Sequence, residues 1–367
     1  MRIPTEALVN YVWPLRKLAA RPRLAARCAR CNISERVPGV TLQDGECQYC
    51  RDPDPEPKVV NLAPELREFL HAYARSGRQY DALVMLSGGK DSAYVLWRVQ
   101  RDHPTLRLLA VTIDNGFLAN MAIDNAAITV RKLDVSHMIL TPPRNLYRDL
   151  YRYAFTHVGT GGCYVAVDRL DGHLTHDICR NIAAAMQIPL VLSGVSWAQV
   201  EMIVGCNHFL ETGAEDRVTL AMDMPFREAI SPEHTGYLYD ARQWSCRPLT
   251  LFPHYAWRAD DVHIRREVER LGLVTSGSPL DTNNTITPLM VAVDFATLGY
   301  CGFAVEFARM VRAGQSDRRL WRNVFELMEY EATSGHLSRR VIEPLRQLGL
   351  TRRDVGLEAT KKLLEEC

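Results

Sequence analysis

The sequence predicts an α/β fold in which a parallel sheet carries helices on both faces, with a small cysteine-rich ribbon before it and a mainly helical region after it. Short apolar stretches alternate with helical segments through the middle of the chain, which is typical of a buried parallel sheet. Two Cys-x2-Cys pairs lie near the N-terminus, and the pattern after Gly205 is mainly helical.

The alternation predicts the elements of the sheet domain in order. We expect a helix over 61–76, strands over 81–86, 107–114, 137–141 and 189–194, and helices over 90–101, 119–133 and 177–187. Further helices are predicted over 306–311, 317–330, 337–350 and 357–366. Because ligands of such sheets bind at the carboxyl ends of the strands, the segments that follow the strands are the candidate site.

Composition narrows the class of protein. The 44 basic and 43 acidic side chains nearly cancel, so a nucleic-acid partner is not expected. No apolar run is long enough to predict a membrane span. The Arg- and Ala-rich lead over 2–30 is predicted to be an amphipathic helix, with a transit peptide as the alternative. Ten cysteines without a secretory signal indicate a reduced, cytoplasmic protein.

The strongest motif is a phosphate loop between a predicted strand and a predicted helix, Ser87-Gly88-Gly89-Lys90-Asp91-Ser92. Two glycines allow a sharp turn and a close approach of the backbone to an anion. The new helix offers its free N–H groups to phosphate, and Lys90 adds a positive charge. The spacing differs from the phosphate loop of kinases and motor ATPases, and from the dinucleotide fingerprint.

This motif resembles the SGGxDS signature of the PP-loop ATP pyrophosphatases, whose fold is of the adenine nucleotide alpha hydrolase (HUP) type. The resemblance implies that a substrate oxygen attacks the α-phosphate of ATP and that pyrophosphate leaves, with Mg²⁺ on the phosphates. It implies catalytic roles for Lys90 and Asp91, of which Asp91 is the first candidate for the metal. Glu201 is a weaker candidate.

Two later segments match the positions at which the family binds the nucleotide. The first is Thr112-Ile113-Asp114 at the end of the second strand, and the second is Ser193-Gly194 after the fourth. Each has a plainer interpretation. Asp114 begins an Asp-Asn-Gly sequence that is strong turn chemistry, and Ser193-Gly194 could be an ordinary exit from a strand.

The cysteine pairs predict a structural zinc site. Cys28-x2-Cys31 and Cys47-x2-Cys50 are separated by fifteen residues, the spacing of a four-cysteine zinc ribbon. A closed site of four sulfurs leaves no open position for catalysis, so its expected role is to fold a short segment. An iron–sulfur cluster on the same ligands is the alternative.

The ribbon and the loop together resemble the N-acetyl sugar amidotransferases of bacterial surface-polysaccharide biosynthesis. Residues 247–249 and 300–314 are similar to the C-terminal pattern of that family. The resemblance implies conversion of an acetamido group on a nucleotide-linked sugar to an acetamidino group, with ATP activating the amide oxygen and ammonia replacing it. Two segments depart from the pattern, at 161–164 and 193–197, which puts the sugar substrate in doubt.

The source of ammonia is a separate question. Arg2 stands where a class II glutaminase needs cysteine. Around Cys301, Phe303 replaces the last glycine of the class I motif Gly-x-Cys-x-Gly. We therefore interpret Cys301 as an inert thiol and expect a separate glutaminase partner or free ammonium as the source.

Two other functions stay open on the sequence alone. A PP-loop thiolase would insert sulfur into a small molecule or tRNA and would need a reactive cysteine, for which Cys163, Cys206 and Cys246 are candidates. A non-catalytic nucleotide-binding scaffold would not need Lys90 and Asp91. A homodimer is compatible with either.

The motifs and the predicted elements divide the chain into three segments. The basic lead and ribbon occupy 1–56, the ATP pyrophosphatase domain 57–215, and a helical region that shapes the substrate pocket or an interface 216–367. The proline-rich stretch over 51–58 marks the first boundary, because alternating prolines cannot continue a helix or a central strand.

Overall fold

The computed structural model describes residues 7–20, 24–51, 61–74, 77–159, 161–211, 229–275 and 283–357. The linker predicted over 51–58 and the helix predicted over 357–366 fall almost entirely outside these residues. No helix within the described ranges is both long and apolar enough to cross a bilayer.

The N-terminal part consists of short elements. A π-helical turn, Leu8–Val12, leads into α1, Trp13–Ala20, and the ribbon follows with β1 (Leu42–Gln43), β2 (Glu46–Cys47) and α2 (Gln48–Arg51). The strands of this ribbon pair antiparallel. The basic lead was predicted to be one amphipathic helix; its described part is helical only to Ala20, and residues 24–30 are not helical. Val9 and Trp13 are buried in the main core, whereas Leu15 and Leu18 are exposed.

The sheet domain then alternates strands and helices. Its elements are α3 (Ala63–Tyr73), β3 (Ala82–Met85), α4 (Lys90–Asp102), β4 (Leu108–Ile113), α5 (Asn120–Leu133), β5 (Ser136–Leu140), α6 (Arg144–Thr156), α7 (Gly162–Ala185), β6 (Leu190–Leu192) and α8 (Trp197–Gln199). All four predicted strands are confirmed. Helix α6 was not predicted, because Pro142 and Pro143 indicate only a stop, although proline is also tolerated at a helix start.

The C-terminal region is mainly helical, as predicted, but it also supplies a strand. Its elements are β7 (Leu249–Leu251), α9 (Pro253–Trp257), α10 (Asp261–Arg270), α11 (Thr287–Thr297), α12 (Phe303–Arg312), α13 (Arg318–Thr333) and α14 (Ile342–Leu348). Strand β7 is too short to show a period in the sequence. The helix predicted over 337–350 is split, because a 3-10 turn, His336–Arg339, precedes α14.

The five strands form one parallel sheet in the order β5-β4-β3-β6-β7. The chain winds from β3 to one side through β4 and β5, and β6 and β7 lie on the other side of β3. The strand order therefore reverses between β3 and β6, where such sheets form a crevice for ligands. The predicted phosphate loop leaves β3 at this point, and Ser193-Gly194 leaves β6 beside it.

Candidate functional site

The phosphate loop has the sharp turn that its glycines predict. Gly88 adopts a positive φ of 75°, and a Cβ at this position would overlap the backbone carbonyl of Ala122. Gly89 is the N-cap of α4, so the free N–H groups of the first turn face the loop. Any other residue at position 88 would therefore be strained and would collide with α5.

The two serines hold the loop together. The amide of Ser87 donates to Oγ of Ser92 at 3.2 Å, and the Ser92 hydroxyl donates to the carbonyl of Gly89 at 3.1 Å. The side chain of Asn283, from the segment before α11, donates to Oγ of Ser87 at 3.3 Å. These bonds fix the loop before any ligand binds, which lowers the entropic cost of binding phosphate.

Gly194 packs against the first turn of α4, the helix that the loop begins. A Cβ at this position would stand 2.6 Å from Cα of Ser92, because the exit from β6 passes directly against the first turn of α4. The predicted motif Ser193-Gly194 thus has a packing role that explains its glycine.

We expect Gly194→Ala to lower the free energy of unfolding by about 1–3 kcal/mol, because the methyl group must push β6 and α4 apart. Chemical denaturation measures this change. The matched control is Gly172→Ala in α7, where an added Cβ meets nothing within 4 Å. Equal stability of the two variants would contradict the packing role of Gly194.

Lys90 lies between two carboxylates. Its Nζ is 2.7 Å from Oδ2 of Asp91 and 2.7 Å from Oδ1 of Asp261, a side chain that is buried at the start of α10. Burial by itself lowers the pKa of Lys90, but the charges of Asp261 and Asp91 outweigh it and raise the pKa above its ordinary value. Lys90 is therefore a fixed positive charge next to the loop.

Asp91 is held in its charged form. Burial alone would raise the pKa of Asp91, but Lys90 and His254 bring it below its ordinary value. Nε2 of His254 also donates to the backbone carbonyl of Asp91 at 3.1 Å. A charged carboxylate at the mouth of a phosphate loop has the chemistry that Mg²⁺ prefers, so Asp91 fits its predicted role.

Two cavities lie beside the loop. The larger has a volume of about 400 Å³ and is lined by Ser87 to Asp91 together with Phe303, Phe307 and Trp321. The smaller, of about 110 Å³, shares Lys90, Asp91, Phe303 and Phe307 with it. A cleft that joins a phosphate loop to an apolar, aromatic wall suits a ligand with a charged end and a less polar end.

An acidic pair from α7 faces this larger cleft. Asp168 and Asp171 both line it, one turn apart on the same helix face. Burial, together with the nearby charges of Glu306 and Asp171, raises the pKa of Asp168 to about 8. Burial raises the pKa of Asp171 to about 6. Carboxylates whose pKa is raised in this way are frequent at functional sites.

Asp168 gives a pH-dependent prediction. Since its folded pKa is about 8 and its ordinary value is 3.8, the folded state holds the proton more tightly, and stability falls as pH rises between these values. We expect Asp168→Asn to remove this loss and to raise the melting temperature by about 3 °C at pH 8.5. At pH 4 the two proteins should melt together. A lower melting temperature for the variant at pH 8.5 would contradict the burial of this charge.

The predicted nucleotide residues outside the loop do not line either cavity. The hydroxyl of Thr112 donates to the carbonyl of Leu86 at 2.7 Å inside the sheet, and Ile113 is buried in β4. Oδ1 of Asp114 accepts a hydrogen bond from the amide of Gly116 at 3.1 Å. This bond is the one expected if Asp114 stabilises a turn. Contact of Thr112, Ile113, Asp114, Ser193 and Gly194 with a nucleotide stays a prediction.

The weaker candidate Glu201 is engaged elsewhere. It pairs with Arg309 and with Arg258, whose Nη2 is 3.5 Å from Oε1. Glu201 does not line either cavity. Its ion pairs instead link its own segment to α12 and to the end of α9.

Four residues of the site could not be found from the sequence: Asp168, Asp171, Asp261 and Asn283. Asp261 follows an N-cap, where an acidic residue is expected for the helix dipole alone. Asp168 and Asp171 occur in a segment that the sequence did not predict as helix. Asn283 reaches the loop from nearly 200 residues further along the chain.

The four cysteines of the ribbon converge as predicted. Cys28, Cys31, Cys47 and Cys50 are all buried, and their Sγ atoms lie within 4.8 Å of one another. The Sγ atoms of Cys31 and Cys47 are 3.6 Å apart, close to the ~3.8 Å that a tetrahedral ion with metal–sulfur bonds of about 2.3 Å requires. Sulfurs bound to separate irons of a cluster stand further apart, so the geometry fits a single ion. That the ion is zinc stays a prediction.

The other described cysteines do not resemble nucleophiles. Burial raises the pKa of the Cys163 and Cys301 thiols well above the ordinary value, and it raises that of Cys246 as well. The thiol of Cys206 donates to the carbonyl of His208 at 3.4 Å. No cysteine is among the described residues that line either cavity.

Comparison with known proteins gives distant similarities. No protein-family model matches the sequence. An uncharacterized protein of Methanocaldococcus jannaschii, MJ1599, is 32% identical over 98 residues, which are 27% of this chain and 34% of that protein. The chain thus spans about a third of the length of the curated relative that it matches.

Two solved structures are similar over most of the chain. The U34-tRNA thiolase NcsA of Methanococcus maripaludis, solved with its [4Fe-4S] cluster, has a TM-score of 0.37 and 11% identity, covering 87% of this chain and 89% of that one. The NMN synthetase of Francisella tularensis has a TM-score of 0.37 and 12% identity, covering 76% and 94%. Identities and TM-scores this low give no information on the function of this chain.

Three features of this chain carry the predicted resemblance to the PP-loop ATP pyrophosphatases. They are the parallel strand order, its reversal between β3 and β6, and the sequence SGGKDS at that point. Together they define a parallel α/β sheet domain with a predicted phosphate loop, to which a four-cysteine ribbon is joined.

Proposed function

We propose that this protein is an ATP-dependent amidotransferase. It transfers the adenylyl group of ATP to an amide or carboxyl oxygen of its substrate, releases pyrophosphate, and replaces that oxygen with nitrogen from ammonia. The substrate that we propose is a nucleotide-linked N-acetyl sugar, from the resemblance of the ribbon, the loop and the C-terminal pattern.

The observation that carries this proposal is the preorganised loop with Lys90 and Asp91 at the mouth of the larger cleft. The N–H groups of α4 and the ammonium of Lys90 supply positive charge for the phosphates of ATP. Mg²⁺, when bound, would neutralise charge on the leaving pyrophosphate, and the charged carboxylate of Asp91 at the mouth of the loop could hold it. The aromatic wall formed by Phe303, Phe307 and Trp321 suits the less polar parts of a sugar substrate.

Sulfur transfer is the second candidate, and the cysteines argue against it. A persulfide mechanism needs a thiolate next to the activated oxygen, and no described residue lining either cavity is a cysteine. A tRNA substrate also needs a basic surface, for which a net charge of +1 gives no indication. A scaffold without catalysis does not explain why Lys90 is held between the carboxylates of Asp91 and Asp261.

The proposal is tested by supplying ¹⁵N-ammonium, MgATP and a panel of nucleotide-linked N-acetyl sugars, and by measuring sugar masses. We expect one sugar to lose an oxygen and gain a labelled NH group, with AMP formed in equal amount. A product that contains sulfur when a sulfur donor is added, and no labelled product with ammonium, would replace this proposal by the thiolase. ATP turnover without either product would be consistent with a PP-loop ATP pyrophosphatase but would contradict the amidotransferase reaction.

A further inference from the structure

Helix α12 lies between the cysteine ribbon and the catalytic cleft. One of its faces carries Ala308 and Val311, which pack in the apolar cluster around the four cysteines. The adjacent face carries Phe303 and Phe307, which line both cavities next to Lys90. The two faces adjoin, because Phe307 and Val311 are four residues apart and so lie next to each other along the helix. One rigid helix thus belongs to the metal site and to the ligand site.

The contact between α12 and the ribbon is specific. Nη1 of Arg312 donates to Sγ of Cys31 at 3.5 Å, and the same guanidinium lies 5.3 Å from the ring centroid of Tyr49 in the ribbon. Four thiolates around one divalent ion carry a net negative charge, which the Arg312 cation offsets. Hydrogen bonds of this kind orient metal ligands and are as much a part of the site as the ligands.

A second helix connects the same two sites. Nη2 of Arg27, just before the first cysteine, is 2.8 Å from Oε2 of Glu329 on α13, and both side chains are buried. Nδ2 of Asn32 donates to the carbonyl of Arg318 at 2.7 Å. From the same helix, Trp321 lines the larger cleft and stacks on Phe307 with ring centroids 3.4 Å apart.

We propose that the metal-bound ribbon is a positioning element of the cleft. It fixes α12 through Arg312, and thereby sets the aromatic wall of Phe303, Phe307 and Trp321 against the phosphate loop. The loop itself is anchored to α4 and α5, so the ribbon acts on the aromatic wall and not on the loop. The inference does not depend on which substrate the cleft binds.

The test compares Arg312→Ala, Arg312→Lys and the parent protein with Co²⁺ bound in the ribbon. Amide exchange is measured over 303–312 and over strand β3, and the cobalt–thiolate absorption is recorded. The matched control is Arg346→Ala, because Arg346 on α14 pairs with Glu343 and both side chains are exposed.

We expect Arg312→Ala to speed exchange over 303–312 by about tenfold through local opening, to shift the cobalt–thiolate band, and to leave exchange in β3 unchanged. Arg312→Lys should restore part of both effects, since it keeps a cationic donor. MgATP affinity should stay within about twofold of the parent.

Several results would overturn the proposal. Exchange over 303–312 that does not change, or that rises equally in β3, would show that the ribbon does not position this helix. An unshifted cobalt–thiolate band would show that Arg312 does not contact the metal site. If Arg312→Ala does not fold, Arg312→Lys is compared with the parent protein over the same segments.

Discussion

Replacement of Lys90 by alanine is expected to lower MgATP affinity about 10- to 100-fold, which is the range for loss of a charged hydrogen bond. Pyrophosphate release in the presence of substrate should fall by about 100-fold or more, because the lost charge lies where negative charge develops on the leaving group. Calorimetry measures the binding, and a coupled assay for pyrophosphate measures the rate.

Lys132→Ala is the matched control, since Lys132 lies on α5, lines neither cavity, and its Nζ donates to the carbonyl of Leu271 at 3.0 Å. Its affinity for MgATP should equal that of the parent. If Lys90→Ala binds MgATP as tightly as Lys132→Ala, the ammonium that Asp91 and Asp261 hold is not part of the phosphate site.

Loss of the metal from the ribbon is expected to have the largest effect on stability. We expect Cys31→Ser to lower the free energy of unfolding by more than about 4 kcal/mol, because a metal ligand and the burial around it are lost together. The effect should extend beyond the ribbon, since Arg27 and Asn32 join it to α13. Denaturation of the metal-loaded proteins measures the difference.

Cys246→Ser is the control for this prediction. Cys246 is partly buried and lies outside the metal cluster, so its replacement should change stability far less. Metal analysis of the two variants should show one ion per chain in Cys246→Ser and less than one in Cys31→Ser. Equal stability of both variants would contradict a structural role for the cluster.

The sequence predicted the sheet domain well because its strands carry continuous apolar runs. Residues 82–85 and 108–113 are almost wholly buried, so nothing in them competes with the strand signal. Strand β7 was missed because three residues cannot establish a period, and its place in the sheet depends on β6. Helix α7 begins well before the predicted residue 177, because glycines at its start indicate a loop.

The site was predictable only where it is local in the chain. The phosphate loop and the cysteine pairs each lie in one short segment, and both have the expected geometry. Asp261, at the start of α10, and Asn283, in the segment before α11, contact the loop from distant parts of the chain, and Asp168 faces the cleft only because α7 packs in one orientation. Residues of this kind are brought together by tertiary packing, which no local pattern in a single sequence shows.

The most direct test of the central claim is where ATP is cleaved. Purified protein is incubated with MgATP, ammonium and the nucleotide-sugar panel, and the phosphorus products are followed by ³¹P NMR. The account predicts AMP and pyrophosphate in equal amounts, formed about 100-fold or more slowly by Lys90→Ala. Formation of ADP and inorganic phosphate would show cleavage at the γ-phosphate and would contradict the assignment of SGGKDS as a pyrophosphatase loop.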